Sequence, residues 1–224
     1  MESKWNEVLT GEMLTCALLS KAYYVYPDQA WLQSLVEGDV FAEAPFASEQ
    51  PQVVAALQLL QAWSRGVSEQ TIEDVRVDYT RLFIGPGKVL TPPWESVFFS
   101  EERLTFQQET LQVREWYRRF GLQLERLYQE PDDHIGLELE FVAHLAKLGL
   151  VALEQNDQTK FDELLDAQKN FIVEHPGRWA FEWCAQVEAQ AQTDFYRGIA
   201  LLTRGVLAEI VRVLDVKIPA GKKA

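Results

Sequence analysis

Asp132, Asp133 and His134 stand side by side, with Glu130 and Glu138 close by. Carboxylates and an imidazole at such spacing suit three chemistries: a metal ion, a proton transfer, or the recognition of a cation. A magnesium site of the spaced-aspartate kind needs another acid four residues after Asp132, where Gly136 stands. A di-iron bundle needs Glu-x-x-His on two helices. Glu140 and His144 are one residue too far apart for that pattern. Gly85-Pro86-Gly87-Lys88 has the look of a phosphate loop, but such a loop also needs a leading glycine and a Ser or Thr after the lysine. Leu82 and Val89 occupy those positions. No Gly-x-Ser-x-Gly elbow occurs, and Cys16 and Cys184 lack any zinc-ligand spacing. Both cysteines read as small buried hydrophobes. What remains is cation recognition, with a helical metal- or nucleotide-dependent enzyme built on Asp133 and His134 as the alternative.

The elements that must position these residues are helical. Apolar residues recur every three to four positions almost throughout, and no convincing strand is present. The pattern predicts a first helix up to Tyr24. A second starts behind Pro27 and Asp28, a third at Pro51, and a fourth runs from Ser68 to about Phe83. Ser100, Glu101 and Glu102 are expected to open a long helix ending near Phe120, with Gly121 as its stop. Another helix starts at Asp133, and Asp157 caps the next. One runs from Arg178 to Ala191, and Thr193 caps the last, whose stripe is Phe195, Ile199, Leu202, Val206, Ile210 and Val213. Residues 37–50, and the stretch between Gly121 and Pro131, read as irregular. The expected architecture is all-α: one domain of about nine helices over residues 1–224, with a hinge in loop 84–99 and a frayed tail from 218 to 224.

Composition narrows the partners. The chain has 224 residues and a net charge of −13. Such a chain repels nucleic acid and anionic lipid and favours basic partners. The start of the chain lacks a secretory leader pattern, and no apolar run is long enough to span a bilayer, so the expected location is the cytoplasm.

Residues 85–99 hold three prolines and two glycines yet are strongly apolar. A solvated linker would be polar, so this loop packs onto something or binds something. Beside the acidic start of the following segment, it describes a groove for a peptide that is apolar at one end and cationic at the other.

Two sets of residues carry a family resemblance. Tyr79-x-x-Leu82-Phe83-x-Gly85-Pro86 is followed by Pro92-Pro93-Trp94-x-Ser96. Roughly forty residues on comes Glu130-Pro131-x-Asp133-His134-x-Gly136. In type, order and separation they resemble the TorD/DmsD/NarJ family of redox-enzyme maturation proteins, closest to its TorD/DmsD branch, and a weaker likeness extends over nearly the whole chain. The resemblance implies the all-α fold peculiar to that family. It also implies a chaperone, not an enzyme, that binds the twin-arginine signal peptide and apo form of a molybdoenzyme and delays its export until cofactor insertion. By position it implies peptide-binding roles for Tyr79, Leu82, Phe83, Pro93, Trp94, Asp133 and His134. Glu95, Asp132 and Glu138 join them as carboxylates suited to paired arginines. The family contains monomers and domain-swapped dimers, and either state is open here. Guanine nucleotide binding, reported for some members, would come from the resemblance alone; otherwise no cofactor and no metal are expected.

Overall fold

The computed structural model describes residues 2–42, 50–122 and 130–218. Residues 43–49 of the expected loop at 37–50, most of the irregular stretch before Pro131 and the tail after 218 lie outside them. The described residues form ten α-helices, one more than expected: α1 Glu2–Tyr24, α2 Gln29–Glu37, α3 Pro51–Arg65, α4 Glu69–Tyr79, α5 Glu95–Phe99, α6 Gln108–Arg119, α7 Ile135–Glu154, α8 Gln158–Glu174, α9 Pro176–Gln190 and α10 Asp194–Val213. A five-residue π turn, Thr80–Ile84, follows α4. Among the described residues no helix is long and apolar enough to cross a membrane.

Local chemistry explains most of the helix starts. Asp28, Asp157 and Thr193 each accept a backbone N–H from the first turn of α2, α8 and α10. Ser68 and Thr71 form a reciprocal capping box on α4. Each such cap satisfies a donor that a helix end leaves bare, at about 1 kcal/mol.

The long α1 and α7 pack along each other, as do α3 and α10, and α9 lies between α10 and α8. Backbone approach between α3 and α10 is close enough to require glycine. A Cβ on Gly198 would lie 2.6 Å from Leu60, and one on Gly205 would lie 2.5 Å from Val53. The core is continuous and rich in aromatics: Tyr23, Trp179, Trp183, Phe195 and Tyr196 are almost wholly buried. Cys16 and Cys184 are fully buried and unpaired to each other.

Three expectations fail in the middle of the chain. The helix expected from Ser100 begins at Gln108 instead. Ser100 Oγ accepts the Leu104 N–H, and Arg103 and Phe106 both adopt positive φ (56° and 57°), which breaks the helical path. Residues 95–99, expected to be irregular, form the short helix α5, because Pro92 and Pro93 precede its first turn and do not interrupt it. The regular helix expected to reach Phe83 widens into the π turn after Tyr79.

One buried acid makes the core sensitive to pH. Glu12 is 1% exposed and accepts a hydrogen bond from Gln168 Nε2 on α8. Burial pushes its pKa up to about 8. The folded chain therefore holds this proton while the unfolded chain releases it above about 4.5, and stability falls as pH rises from about 4.5 to about 8. Glu12→Gln should stabilise the protein by about 1–3 kcal/mol near neutral pH and by almost nothing near pH 4. Equal gains at both pH values in urea melts would contradict this.

Candidate functional site

The two sequence segments meet face to face. Trp94 and His134 form an antiparallel bridge. The Ile135 N–H donates to Pro93 O at 2.8 Å, and the Glu95 N–H donates to Asp133 O at 3.0 Å. The first segment is held on its other side as well. Thr91 donates its N–H and its hydroxyl to Leu82 O in the π turn, and Trp183 Nε1 of α9 donates to Thr91 O. The π turn thus supplies a carbonyl that a regular helix would have kept for itself. Gly85 closes the turn at φ 101°, which glycine alone adopts without strain.

The four carboxylates expected to face a peptide are internal. Asp133 is fully buried; its Oδ2 accepts the Ser96 N–H at 2.7 Å and its Oδ1 accepts the Thr110 hydroxyl at 2.6 Å. It therefore caps α5 and not α7, whose N-cap is His134. Asp132, 1% exposed, takes both Nε and Nη2 of Arg114 on Oδ2, and its carbonyl accepts the Tyr117 hydroxyl. Glu95 pairs with His175 Nδ1 at 2.8 Å and more loosely with Arg178. Burial raises the Glu95 pKa against the pull of those two groups. Glu138 accepts the Trp179 indole N–H, and burial, together with Glu95 and Asp133, pushes its pKa well up. The expected acid-lined groove is thus a buried polar hub that ties α5, α6, α7 and α9 together. The reason is physical: a buried carboxylate needs donors, and this chain supplies them internally.

His134 is also internal to the hub. Its Nδ1 accepts the Gly136 N–H, so its proton sits on Nε2, and burial lowers its pKa to about 3. It stays neutral and carries no cationic role. Gly136 has no room for a side chain, since a Cβ would sit 2.7 Å from Tyr24 Cβ. Tyr79, Leu82 and Phe83 face inward: the Tyr79 hydroxyl donates to Tyr23 O, and the Phe83 ring packs among Tyr23, Trp183 and Tyr196. Pro93 is buried at the bridge.

Trp94 is different, being half-buried. Its indole N–H donates to Glu130 Oε1 at 2.8 Å, and its ring meets His134 edge-on at 5.8 Å. Tyr24 lies on His134 at 5.1 Å, and the exposed Tyr26 ring stands 5.5 Å from Tyr79. Glu130 is half-buried, with its pKa raised by burial. Together Tyr24, Tyr26, Trp94 and Glu130 make an aromatic shelf with one carboxylate above the hub. Sequence reasoning does not single out Tyr24, Tyr26 or Glu130 as contacts. The clue is the aromatic run Tyr23-Tyr24-Val25-Tyr26 before Pro27, more than a helix end needs for packing. Thr110, Arg114, His175 and Arg178 are likewise missed, because their partners are distant in sequence. Among the described residues no cluster of three or more His, Cys, Asp or Glu side chains is placed to hold a metal ion.

Comparison with known proteins shows what the chain is similar to. The family model described as the nitrate reductase delta subunit matches residues 47–185, which include both segments. The Tat proofreading chaperone DmsD of Salmonella typhimurium is 29% identical over 200 residues, covering 88% of this chain and 87% of its own. The chaperone protein TorD of Aliivibrio fischeri is 26% identical over 218 residues, covering 97% and 93%. A solved chain from Archaeoglobus fulgidus, described as a candidate redox enzyme maturation protein, is 22% identical with a TM-score of 0.47, covering 88% and 91%. With a family model spanning more than half of its length, the chain belongs to the nitrate reductase delta subunit family and, with its DmsD and TorD relatives, to the redox-enzyme maturation chaperones.

Proposed function

We propose that this protein is a cytoplasmic chaperone that binds the twin-arginine leader of a molybdoenzyme precursor and holds it until the cofactor is loaded. The observation that carries this reading is the shelf: a half-buried Trp94 fixed between Glu130 and His134, with Tyr24 against the same histidine and the exposed Tyr26 against Tyr79, its ring already under the Arg76 guanidinium. An aromatic face covers an apolar stretch and also attracts a guanidinium, at about 0.5–2 kcal/mol per contact. Glu130 adds a carboxylate beside it, and the chain's charge of −13 favours a basic segment at longer range. Binding, and not catalysis, suits the rest of the site. Both oxygens of Asp133 accept internal donors and His134 is neutral, so the pair is arranged to hold the shelf in place. The buried hub beneath the shelf is the kind of rigid support that a recognition surface needs.

The test is calorimetric titration of a synthetic leader into the protein, repeated with both leader arginines changed to glutamine. The native leader should bind, and the double change should weaken it by about tenfold or more, the scale of a charge-assisted contact. Equal affinities for the two peptides would remove the arginine-reading role, and no binding of either would remove the reading itself.

A further inference from the structure

Arg118 and Arg119 close α6, and they are the one place in the chain where two arginines are adjacent. Both are exposed; the half-buried Phe120 and Leu122 follow, with Gly121 between them at φ 75°. Most other surface arginines are occupied. Arg76, Arg81, Arg178, Arg197, Arg204 and Arg212 each meet a carboxylate at 3.5 Å or less. In a chain of net charge −13 that is the ordinary outcome, because carboxylates are in excess. Among the described residues Arg118 and Arg119 meet none. Arg119 lies over the Trp116 and Phe120 rings, and Arg118 has no partner there. The end of a helix favours cations, but its dipole does not saturate the five donors of a guanidinium.

We propose that this arginine pair docks on the shelf of a second copy, so that the protein associates with itself through the surface that takes the leader. The inference rests on the reading of the shelf as a surface for paired arginines. Arg118-Arg119-Phe120-Gly121-Leu122 has the chemistry of such a leader in the same order, two guanidinium groups and then apolar side chains. The shelf has the complement. Glu130 gives Oε1 to the Trp94 indole, and its other oxygen has no partner among the described residues. A carboxylate oxygen beside an aromatic ring suits a guanidinium. The contact is between copies. Within one chain Arg119 rests on Trp116, whose indole N–H is fixed to Glu174 of α8, whereas the shelf is built on Trp94, Tyr24 and Glu130. Two copies of net charge −13 repel each other, so they need a local cationic contact of this kind to associate. Exchanged reciprocally, the contact occurs twice and closes as a two-fold dimer. Leader and second copy then compete for one surface, and a leader disperses the dimer.

The experiment is sedimentation velocity of the full chain across about 10–100 μM, the range of a weak dimer. The wild type should dimerise as its concentration rises. The double variant Arg118→Gln with Arg119→Gln should raise the dimer dissociation constant by about thirtyfold or more, since each contact is lost twice. Both positions are exposed at a helix end, so this variant should fold and should bind the leader as the wild-type monomer does. Trp94→Ala, on the accepting side, should also lose the dimer, and a synthetic twin-arginine leader should return the wild type to monomer. A wild type that stays monomeric over this range overturns the proposal. So does a double variant that dimerises like the wild type, or a bound leader that leaves the dimer intact. A leader that does not bind at all removes the chaperone reading instead, and Trp94→Ala then decides the self-contact: loss of the dimer upholds it, and an unchanged dimer overturns it.

Discussion

Arg114→Ala is expected to destabilise the chain by about 3–5 kcal/mol, which at this length lowers Tm by about 6–20 °C. The Arg114 side chain is 8% exposed and places two donors on one oxygen of Asp132, itself 1% exposed. Truncation leaves a carboxylate sealed in the core without its cation, and the penalty is the desolvation of that charge. Removing both partners should cost much less than the sum of the single changes. Arg114→Met with Asp132→Leu takes the buried charge away altogether, and the double-mutant cycle should show a coupling of about 2 kcal/mol or more. Urea titrations give the answer directly, as a fall in midpoint at unchanged slope. The same variant separates two views of Asp132. If Asp132 reads an arginine of the peptide, removing Arg114 frees it and strengthens leader binding. If it is part of the buried hub, removing Arg114 loosens the bridge that carries Trp94 and weakens binding. The geometry requires the second outcome, and a stable Arg114→Ala protein with tighter leader binding would contradict it.

How far the site is legible in the sequence depends on how far each interaction reaches. Asp28, Asp157 and Thr193 bond to N–H groups three residues away, so their capping roles follow from local order. Asp133 does not work that way. Its partners are Ser96 and Thr110, on elements it meets only in three dimensions, and so it caps α5 from 37 positions downstream. A run of acids between Pro131 and Gly136 looks like a solvated, cation-seeking surface because charged residues are rarely buried. Only Arg114, His175 and Arg178, placed by α6 and by the α8–α9 junction, make burial affordable for Asp132 and Glu95. The two family segments are legible as a unit because their residue types are unusual together. That they form a bridge with Trp94 left half outside is not, since it depends on the π turn that follows Tyr79. Tyr24 and Tyr26 sit at the end of a helix whose other residues are ordinary core, and nothing local distinguishes a packed tyrosine from a displayed one.

Trp94→Ala should weaken leader binding by about thirtyfold, the effect of losing one anchor of about 2 kcal/mol, while far-UV helicity stays unchanged. A fully buried tryptophan would instead cost about 3–5 kcal/mol of stability on truncation. Trp94 is half-buried, and its indole meets His134 edge-on and donates a hydrogen bond to Glu130, so its loss of stability should be well below that. Two further variants divide its role. Trp94→Phe keeps a ring on the shelf but removes the indole N–H that positions Glu130. Glu130→Gln keeps an acceptor for that N–H but removes the charge. If stacking dominates, Trp94→Phe retains most of the affinity. If Glu130 reads an arginine, Glu130→Gln loses affinity at low salt and converges on the wild type at high salt, where a Debye length of roughly 3 Å screens the pair. The shelf combines both, so each variant should lose part and Trp94→Ala most. Should Trp94→Ala bind the leader at full strength with a much lower Tm, Trp94 is a packing residue and the leader docks elsewhere.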